Sequence, residues 1–200
     1  MNKTYTQTFL LIWALLGLLY VLVGSHTFMH SIQDDRWLWA DPIFQLWTRL
    51  GEGWLIPLIL AALWMLHRST GKQGAAMKAM GYTMLLAILV PQGMKWIFSD
   101  SPRPWTVFPS VHELPGLVKS YYKSFPSGHT AFGVAWTAAW ASLAPKKYQA
   151  PVVMTLLALG VGFSRIHLHM HWLHDVIAGG IVGLGCAYLG LRWSGFTETN

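Results

Sequence analysis

The chain has 200 residues, of which 54% are hydrophobic and only 11% are charged. Soluble domains carry roughly 25% charged residues, so this composition excludes an ordinary soluble protein and predicts an integral membrane protein. The formal net charge of +6 divides between cytoplasmic anchors and a candidate anion site, so no nucleic acid is expected as a partner.

Six apolar stretches follow one another along the chain and predict a single membrane domain over residues 1–200. They cover residues 8–24, 54–66, 77–98, 128–144, 151–166 and 174–193. A bilayer crossing needs about 20 mostly apolar residues, so we expect the short second stretch to extend backward through Leu50, with residues 41–54 as an interfacial or tilted segment. Strand-type alternation is absent, and helices satisfy their own backbone groups in lipid. The predicted fold class is therefore an all-α, polytopic bundle of about six transmembrane helices.

Several features mark the ends and the interior of these predicted helices. Pro57 and Pro151 lie near helix starts, whereas Pro91 lies inside the third stretch and predicts a kink there. The first stretch is longer than the apolar part of a typical secretory signal, and no small-residue cleavage site follows it. We therefore expect it to be a retained anchor. The single cysteine, Cys186, excludes an intrachain disulfide.

Charge distribution predicts the orientation of the helices. Basic residues divide equally between the two sides, but the compact connections at residues 67–78 and 145–148 are basic, which favours both termini in the cytoplasm. Residues 99–127, the helix start at Ser127 and the connection from Arg165 to Asp175 then all fall on the outer face. The three segments can meet there.

His171 and Asp175 are the first candidates for chemistry. Their i, i+4 spacing puts both side chains on one face of a helix. A carboxylate held against one imidazole nitrogen raises the basicity of the other, which suits a nucleophile or a general base. The alternative is a plain ion pair at a helix end. The neighbouring His167, His169 and His174 lack this spacing, so we expect them to be interfacial polar groups.

The segment Pro126-Ser127-Gly128-His129 predicts the start of a helix. Ser127 is a suitable N-cap, and Gly128 allows a ligand to approach the first N–H groups, which together with the helix dipole bind anions. His129, just inside the turn, could donate a proton to a leaving oxygen. The alternative is an ordinary turn.

Three cations accompany these groups on the outer side: Lys95, Arg103 and Arg165. Arginine offers a planar fork that matches phosphate oxygens. Each cation alone could be a loop or snorkelling residue, but together with two histidines and a helix start they favour a phosphoryl-transfer site. The acids of the central loop, Asp100 and Glu113, lack the spacing of a metal cluster, so neither a metal nor another cofactor is expected.

The three groups of residues resemble the three-part signature of the type 2 phosphatidic acid phosphatase superfamily. The second part, Pro126 to His129, and the third, Ser164-Arg165 with His171 and Asp175, match residue for residue. The first part departs from the pattern, because seven residues rather than six separate Lys95 from Arg103-Pro104. In an unbroken helix one extra residue would turn Lys95 by about 100°. Asp100 and Pro102 favour a loop, which can absorb the insertion.

The resemblance implies a mechanism and a location. His171 attacks phosphorus and forms a phosphohistidine, Asp175 orients it, and His129 protonates the leaving oxygen. The phosphoryl oxygens are held by Lys95, Arg103, Ser127, Gly128 and Arg165. The implied location is the bacterial cytoplasmic membrane, with the site facing the periplasm or cell exterior. The implied substrate is a lipid phosphate from the bilayer.

Undecaprenyl diphosphate is the first expectation for this substrate. Phosphatidylglycerol phosphate, phosphatidate, diacylglycerol diphosphate and lipid A phosphates stay open, as does the oligomeric state. The access path is expected near Leu117, Val118, Tyr121 and Tyr122. Three other activities are alternatives to a lipid phosphatase. A transporter would place its charges along a path through the helices, a haloperoxidase of this superfamily would be soluble, and a lipid-to-lipid phosphotransferase would use a second lipid in place of water.

Overall fold

The computed structural model describes residues 1–34, 37–108 and 120–196, and within these ranges all regular secondary structure is helical. The α-helices are α1 (Lys3–Val23), α2 (Ser25–Asp34), α3 (Asp41–Thr48), α4 (Ile56–His67), α5 (Gln73–Ile97), α6 (Pro104–Val107), α7 (Gly128–Leu143), α8 (Pro151–His167) and α9 (Leu173–Ser194). Short 3-10 turns at Leu38–Ala40, Arg49–Gly51, Gly53–Leu55 and Lys146–Tyr148 connect some of them. The predicted all-α fold class is confirmed.

The part of the chain that the structure describes contains four helices long and apolar enough to cross a membrane. These are α1, α5, α8 with its preceding turn, and α9. Residues 38–51 and 53–67 form a pair bent by 61° that makes a fifth span if it is counted as one. Helix α7 has 16 residues, fewer than a full crossing requires. The predicted count of six therefore stays a prediction.

Helix α7 forms the centre of the bundle. Thirteen of its sixteen residues are buried, and it packs against α5, α8 and α9. Small residues bring the backbones together, since a Cβ added at Gly183 would collide with the carbonyl oxygen of Ala131. Such close approach through small residues is typical of helix packing in membranes.

Helix α1 lies at the edge of the bundle and locates the N-terminus. Its buried stripe consists of Tyr5, Phe9 and Trp13, and the Tyr5 hydroxyl lies 2.8 Å from Thr137 Oγ1. The Asn2 backbone N–H donates to Ser142 Oγ at 2.9 Å. The N-terminus therefore lies beside the C-terminal end of α7, at the opposite end of this helix from Ser127 and His129.

The bent pair corresponds to the predicted tilted segment at residues 41–54. The bend occurs at Glu52, which has extended backbone dihedrals between two 3-10 turns. Gly51 packs against α7 so closely that a Cβ there would lie 2.7 Å from the carbonyl oxygen of His129. The bend thus brings residues 51–53 against the start of α7.

The prolines behave largely as expected. Pro57 and Pro151 occupy the first turns of α4 and α8, which confirms the prediction that they lie at helix starts. Pro91 lies within α5, and helical structure continues from Gln73 to Ile97 on both sides of it. The kink at Pro91 stays a prediction.

Candidate active site

The start of α7, the end of α8 with the connection after it, and the start of α9 meet at one end of the bundle, and together they contain six of the eight predicted site residues. The other two, Lys95 at the end of α5 and Arg103 in the loop after it, lie beside Gly128 and His171. Backbone hydrogen bonds connect the three segments directly. The Ser127 N–H donates to the Asp175 carbonyl at 3.0 Å, and the His171 N–H donates to the Arg165 carbonyl at 3.1 Å. The start of α7, the end of α8 and the start of α9 are therefore fixed relative to one another.

His171 and Asp175 form a fully buried pair. Their side chains are 1% and 0% exposed, and His171 Nδ1 lies 3.4 Å from Asp175 Oδ2. The backbone N–H of Trp172 also donates to Oδ2, at 2.9 Å, so Asp175 caps the start of α9. Because the carboxylate is held by the helix start, it holds the imidazole in a defined orientation.

Ser124 contacts both members of this pair, and the sequence patterns did not single it out. The Ser124 side chain is fully buried, and its hydroxyl donates to Asp175 Oδ2. The hydroxyl also lies 3.5 Å from His171 Nδ1. Ser124 stands three residues before Ser127, but nothing in that spacing predicts a contact with a carboxylate 51 residues away.

The surroundings of His171 favour a neutral imidazole. Burial lowers the pKa of His171 well below its ordinary value, and the charges of Arg103 and Arg165 act in the same direction while Asp175 opposes them. His171 Nε2 lies 3.4 Å from Arg103 Nη1. A neutral imidazole keeps a lone pair on Nε2, and the adjacent guanidinium supplies a positive charge that can hold a phosphoryl oxygen.

Arg103 is held rigidly by backbone carbonyls. Its Nε donates to Tyr122 O at 3.0 Å and its Nη1 donates to Met170 O at 2.9 Å. Burial lowers the pKa of Arg103, and Asp175 opposes this shift. Because its guanidinium bridges the central loop and the α8–α9 connection, Arg103 has a structural role in addition to its charge.

Arg165 is held from the opposite side by a residue of the bent pair. Its Nη1 donates to Thr48 Oγ1 at 2.8 Å. Its Nε is buried without a hydrogen-bond partner among the residues that the structure describes, which leaves this donor for an anion. Thr48 was not among the predicted site residues, because it lies 117 residues from Arg165 in the sequence.

The start of α7, where an anion site is predicted, lies beside Lys95. Ser127 is the N-cap, and its Oγ accepts from the N–H of Thr130 at 3.4 Å and from the Thr130 hydroxyl at 2.8 Å. Lys95 Nζ lies 3.7 Å from the position that a Cβ on Gly128 would occupy. The ammonium therefore faces the first N–H groups of the helix.

The extra residue between Lys95 and Arg103 is absorbed by a loop. Helix α5 ends at Ile97, so residues 98–103 lie beyond its end. The Ser101 hydroxyl accepts from the Phe125 N–H at 3.0 Å, and the Arg103 N–H donates to the Tyr121 carbonyl at 2.8 Å. Residues 98–103 are thus outside helical structure, as Asp100 and Pro102 indicated, and Lys95 stays beside Gly128.

His129 faces a carboxylate that the sequence patterns also missed. His129 Nε2 lies 3.7 Å from Glu52 Oε1, and the two side chains are 32% and 40% exposed. Both residues line a cavity of about 310 Å³. The cavity is lined by Gly51, Glu52, Gly53, Ala87, Ile88, Pro91, Gln92, Lys95, Gly128, His129 and Phe132. It contains a polar end at Lys95 and His129 and an apolar wall.

The remaining histidines of this region correct one expectation. His167 and His169 are buried, so the expectation that they are interfacial polar groups is wrong. His167 Nε2 lies 2.8 Å from Asp41 Oδ1 and joins α8 to α3. His174 is 41% exposed, and its Nε2 lies 3.3 Å from Asp175 Oδ1, the oxygen not shared with His171.

The residues expected near the access path divide into two groups. Tyr121 and Tyr122 are exposed beside the site. Leu117 and Val118 lie outside the described residues.

Comparison with known proteins identifies a family and similar solved structures. The family model described as "PAP2 superfamily" matches residues 76–198. The crystal structure of Aquifex aeolicus LpxE aligns with a TM-score of 0.67 and 22% identity over 84% of this chain and 94% of that chain. A transmembrane PAP2-type phosphatidylglycerolphosphate phosphatase from Bacillus subtilis aligns with a TM-score of 0.63 and 20% identity over 96% of this chain and 97% of that chain.

Proposed function

The chain belongs to the PAP2 superfamily, and we propose on that premise that it is a membrane phosphatase that removes phosphate from a lipid phosphate or diphosphate. The observation that carries this proposal is the buried His171–Asp175 pair, with Arg103 against His171 Nε2. Arg165, Lys95 and the start of α7 supply further positive potential at the same end of the bundle.

The reaction proceeds in two steps through a phosphohistidine. His171 Nε2 forms a bond to phosphorus while the bond to the leaving oxygen breaks, and His129 gives that oxygen a proton. Water then attacks the phosphohistidine, passes a proton to His129 and releases phosphate. Cations and helix N–H groups neutralise the phosphoryl oxygens, which is the main requirement of this chemistry, and no metal takes part.

The substrate is an amphiphile whose phosphate reaches the cations while its apolar tail stays in lipid. The cavity that holds Lys95 and His129 continues into a wall formed by Ala87, Ile88, Pro91 and Phe132, which suits such a molecule. Undecaprenyl diphosphate is our first candidate. Phosphatidylglycerol phosphate is the second, because a structural neighbour that aligns over 96% of this chain bears that name. We place the protein in the bacterial cytoplasmic membrane with its site outward.

A panel of lipids tests this proposal. Purified protein in detergent, with excess chelator present, is given undecaprenyl diphosphate, phosphatidylglycerol phosphate, phosphatidate, diacylglycerol diphosphate and a lipid A phosphate. We expect phosphate release from at least one lipid and inhibition by vanadate, whose trigonal-bipyramidal form resembles the transition state. Absence of turnover on the whole panel, which is what a transporter would give, contradicts the proposal.

Product analysis separates hydrolysis from transfer to a second lipid. A labelled acceptor lipid is added to the active substrate, and the fate of the phosphate is followed. Free phosphate as the main product is expected. A labelled phospholipid as the main product indicates a phosphotransferase.

A further inference from the structure

Glu52 stands at the bend between the two halves of the bent pair, where its carboxylate faces His129. The distance from Glu52 Oε1 to His129 Nε2 is 3.7 Å, which is an ion-pair distance rather than a hydrogen bond. Both groups line the cavity that contains Lys95. The carboxylate therefore lies at the position where a partner of His129 could act during phosphoryl transfer.

The fold fixes the position of this carboxylate. The Glu52 N–H donates to the Arg49 carbonyl at 3.1 Å, and Gly51 leaves no space for a Cβ against the backbone and Cβ of His129. The bend is thus packed directly on the first turn of α7. The backbone at Glu52 is therefore fixed beside His129.

His129 needs an anionic partner if it is to carry a proton. The charged groups that act on it are Lys95 from α5, Arg165 from α8 and Glu52 from the bend. Burial and the two cations disfavour a proton on the imidazole, whereas Glu52 favours it. The same two cations must bind the phosphate. Glu52 supplies the compensating charge.

We propose that Glu52 is a positioning residue that keeps a proton on His129 for transfer to the leaving lipid oxygen. The inference rests on the proposed phosphatase function. As the bond between phosphorus and the leaving oxygen breaks, the proton moves from His129 to that oxygen and leaves a neutral imidazole. In the second step the proton lost by the attacking water returns to His129, where Glu52 stabilises the charge again.

The substitution Glu52→Gln tests this role through a comparison of leaving groups. The comparison uses a lipid phosphate monoester, phosphatidylglycerol phosphate or phosphatidate, because its leaving group is an alkoxide that needs a proton. A diphosphate releases a phosphate, and p-nitrophenyl phosphate releases p-nitrophenolate, and both of these leave without a proton. General acid catalysis contributes about 10²–10⁴-fold, so Glu52→Gln should lower kcat for the lipid phosphate by roughly 10- to 100-fold with little change in KM. Turnover of p-nitrophenyl phosphate should change by less than about threefold.

The pH profile gives the second readout. Without the anion, the proton on His129 is lost at lower pH, so the basic limb of kcat/KM should move to lower pH in Glu52→Gln. Glu52→Asp keeps the charge and should leave this limb close to its wild-type position. Asp100→Asn, which removes an exposed carboxylate outside the cavity, is the control and should resemble wild type in both readouts.

Equal losses of kcat on the lipid and on p-nitrophenyl phosphate would overturn the proposed role of Glu52. A basic limb of kcat/KM at the same pH in Glu52→Gln as in the wild type would overturn it too. If Glu52→Gln fails to fold, as measured by thermal unfolding in detergent, Glu52→Asp decides. Because the aspartate side chain is shorter, its carboxylate lies farther from His129, so Glu52→Asp should lose more kcat on the lipid than on the aryl substrate. Equal losses reject the proposal. Inactivity of the wild type on every substrate is a different result, because it rejects the phosphatase function itself.

Discussion

At the residue scale, His171 combines the properties that a phosphoryl acceptor requires. It is buried, it contacts the Asp175 carboxylate through Nδ1, and it lies against Arg103 through Nε2. A held orientation and a lone pair on Nε2 are what a nucleophilic imidazole requires. His26, which is exposed on the same side and stacks on Trp172, has neither partner.

We expect His171→Ala to reduce turnover to background while the protein still inserts and folds, because no other group can form the bond to phosphorus. The measurement is phosphate release together with trapping of labelled phosphate on histidine. His26→Ala is the matched control and should keep wild-type activity. Labelling that persists in His171→Ala would assign the nucleophile to another histidine.

The lowered pKa of His171 predicts the acid side of the pH profile. The nucleophile must be deprotonated, and its pKa lies well below the ordinary histidine value, so kcat/KM should stay level as the pH falls through about 6.5. Asp175 raises this pKa. In Asp175→Asn the acid limb should therefore move to still lower pH while kcat falls. An acid limb at or above the ordinary histidine value in the wild type would contradict this prediction.

Arg103 and Lys95 differ in the hydrogen bonds that they make to the rest of the protein. Arg103 donates to the carbonyls of Tyr122 and Met170, whereas Lys95 has no hydrogen-bond or ion-pair partner among the described residues. Removing Arg103 thus leaves the buried Met170 carbonyl without a donor, which costs about 1–3 kcal/mol. The part-buried Tyr122 carbonyl loses its donor as well. Removing Lys95 affects mainly the anion site.

We therefore expect Arg103→Ala to lower both activity and the thermal unfolding midpoint, and Lys95→Ala to lower activity alone. The activity loss should be smaller for Lys95→Ala, because an arginine fork makes two hydrogen bonds to a phosphate and lysine acts as a point charge. Unfolding in detergent and vanadate inhibition measure the two effects. An unchanged midpoint in Arg103→Ala would show that its carbonyl contacts contribute little.

At the scale of the elements, α9 supports the site by its close approach to α7. A Cβ added at Gly179 would lie 2.5 Å from the carbonyl oxygen of Ser127, the residue that caps α7. Gly185, on the same helix, has open space around it. Alanine substitutions at the two positions therefore distinguish the effect of close α7–α9 packing from the effect of helix propensity.

We expect Gly179→Ala to destabilise the protein by about 1–3 kcal/mol, since overpacking forces the backbone to shift. Activity should fall as well, because the shift displaces Ser127 and the first N–H groups of α7. Gly185→Ala should leave activity unchanged and stability unchanged or slightly higher. Thermal unfolding and phosphate release from the same preparations measure both. Equal behaviour of the two variants would mean that α7 and α9 tolerate a larger separation.

The bent pair is the element whose shape matters most for the site. Its first half carries Thr48, which holds Arg165, and its bend carries Glu52, which faces His129. The short apolar stretch at residues 54–66 predicts an interfacial or tilted segment before it. The angle of 61° follows from packing against α7 and α8.

At the scale of the whole molecule, the two ends of the bundle differ in content. One end contains the site, and the other contains the N-terminus, the α7–α8 connection and its lysines, with Asn2 joined to Ser142 and Gln149. Basic connections favour the cytoplasmic side, so the site should face outward.

Cysteine labelling tests this orientation. In a Cys186→Ala background, single cysteines replace Tyr121, beside the site, and Lys147, in the α7–α8 connection; both side chains are exposed. On intact cells a membrane-impermeant maleimide should label the first position, and the second only after permeabilisation. Both variants should keep phosphatase activity, since neither side chain belongs to the site. The reverse labelling pattern would place the site in the cytoplasm.

Composition and local patterns are enough to predict the membrane class, the helical fold and most residues of the candidate site. Composition decides burial in lipid, helical periodicity brings His171 and Asp175 onto one face, and local capping chemistry places Ser127 at the start of α7. Only the tertiary structure decided the partners of these residues. Ser124, Thr48 and Glu52 act on groups 51 to 117 residues away. Such contacts depend on how helices rotate, bend and approach one another, and no local spacing encodes that geometry.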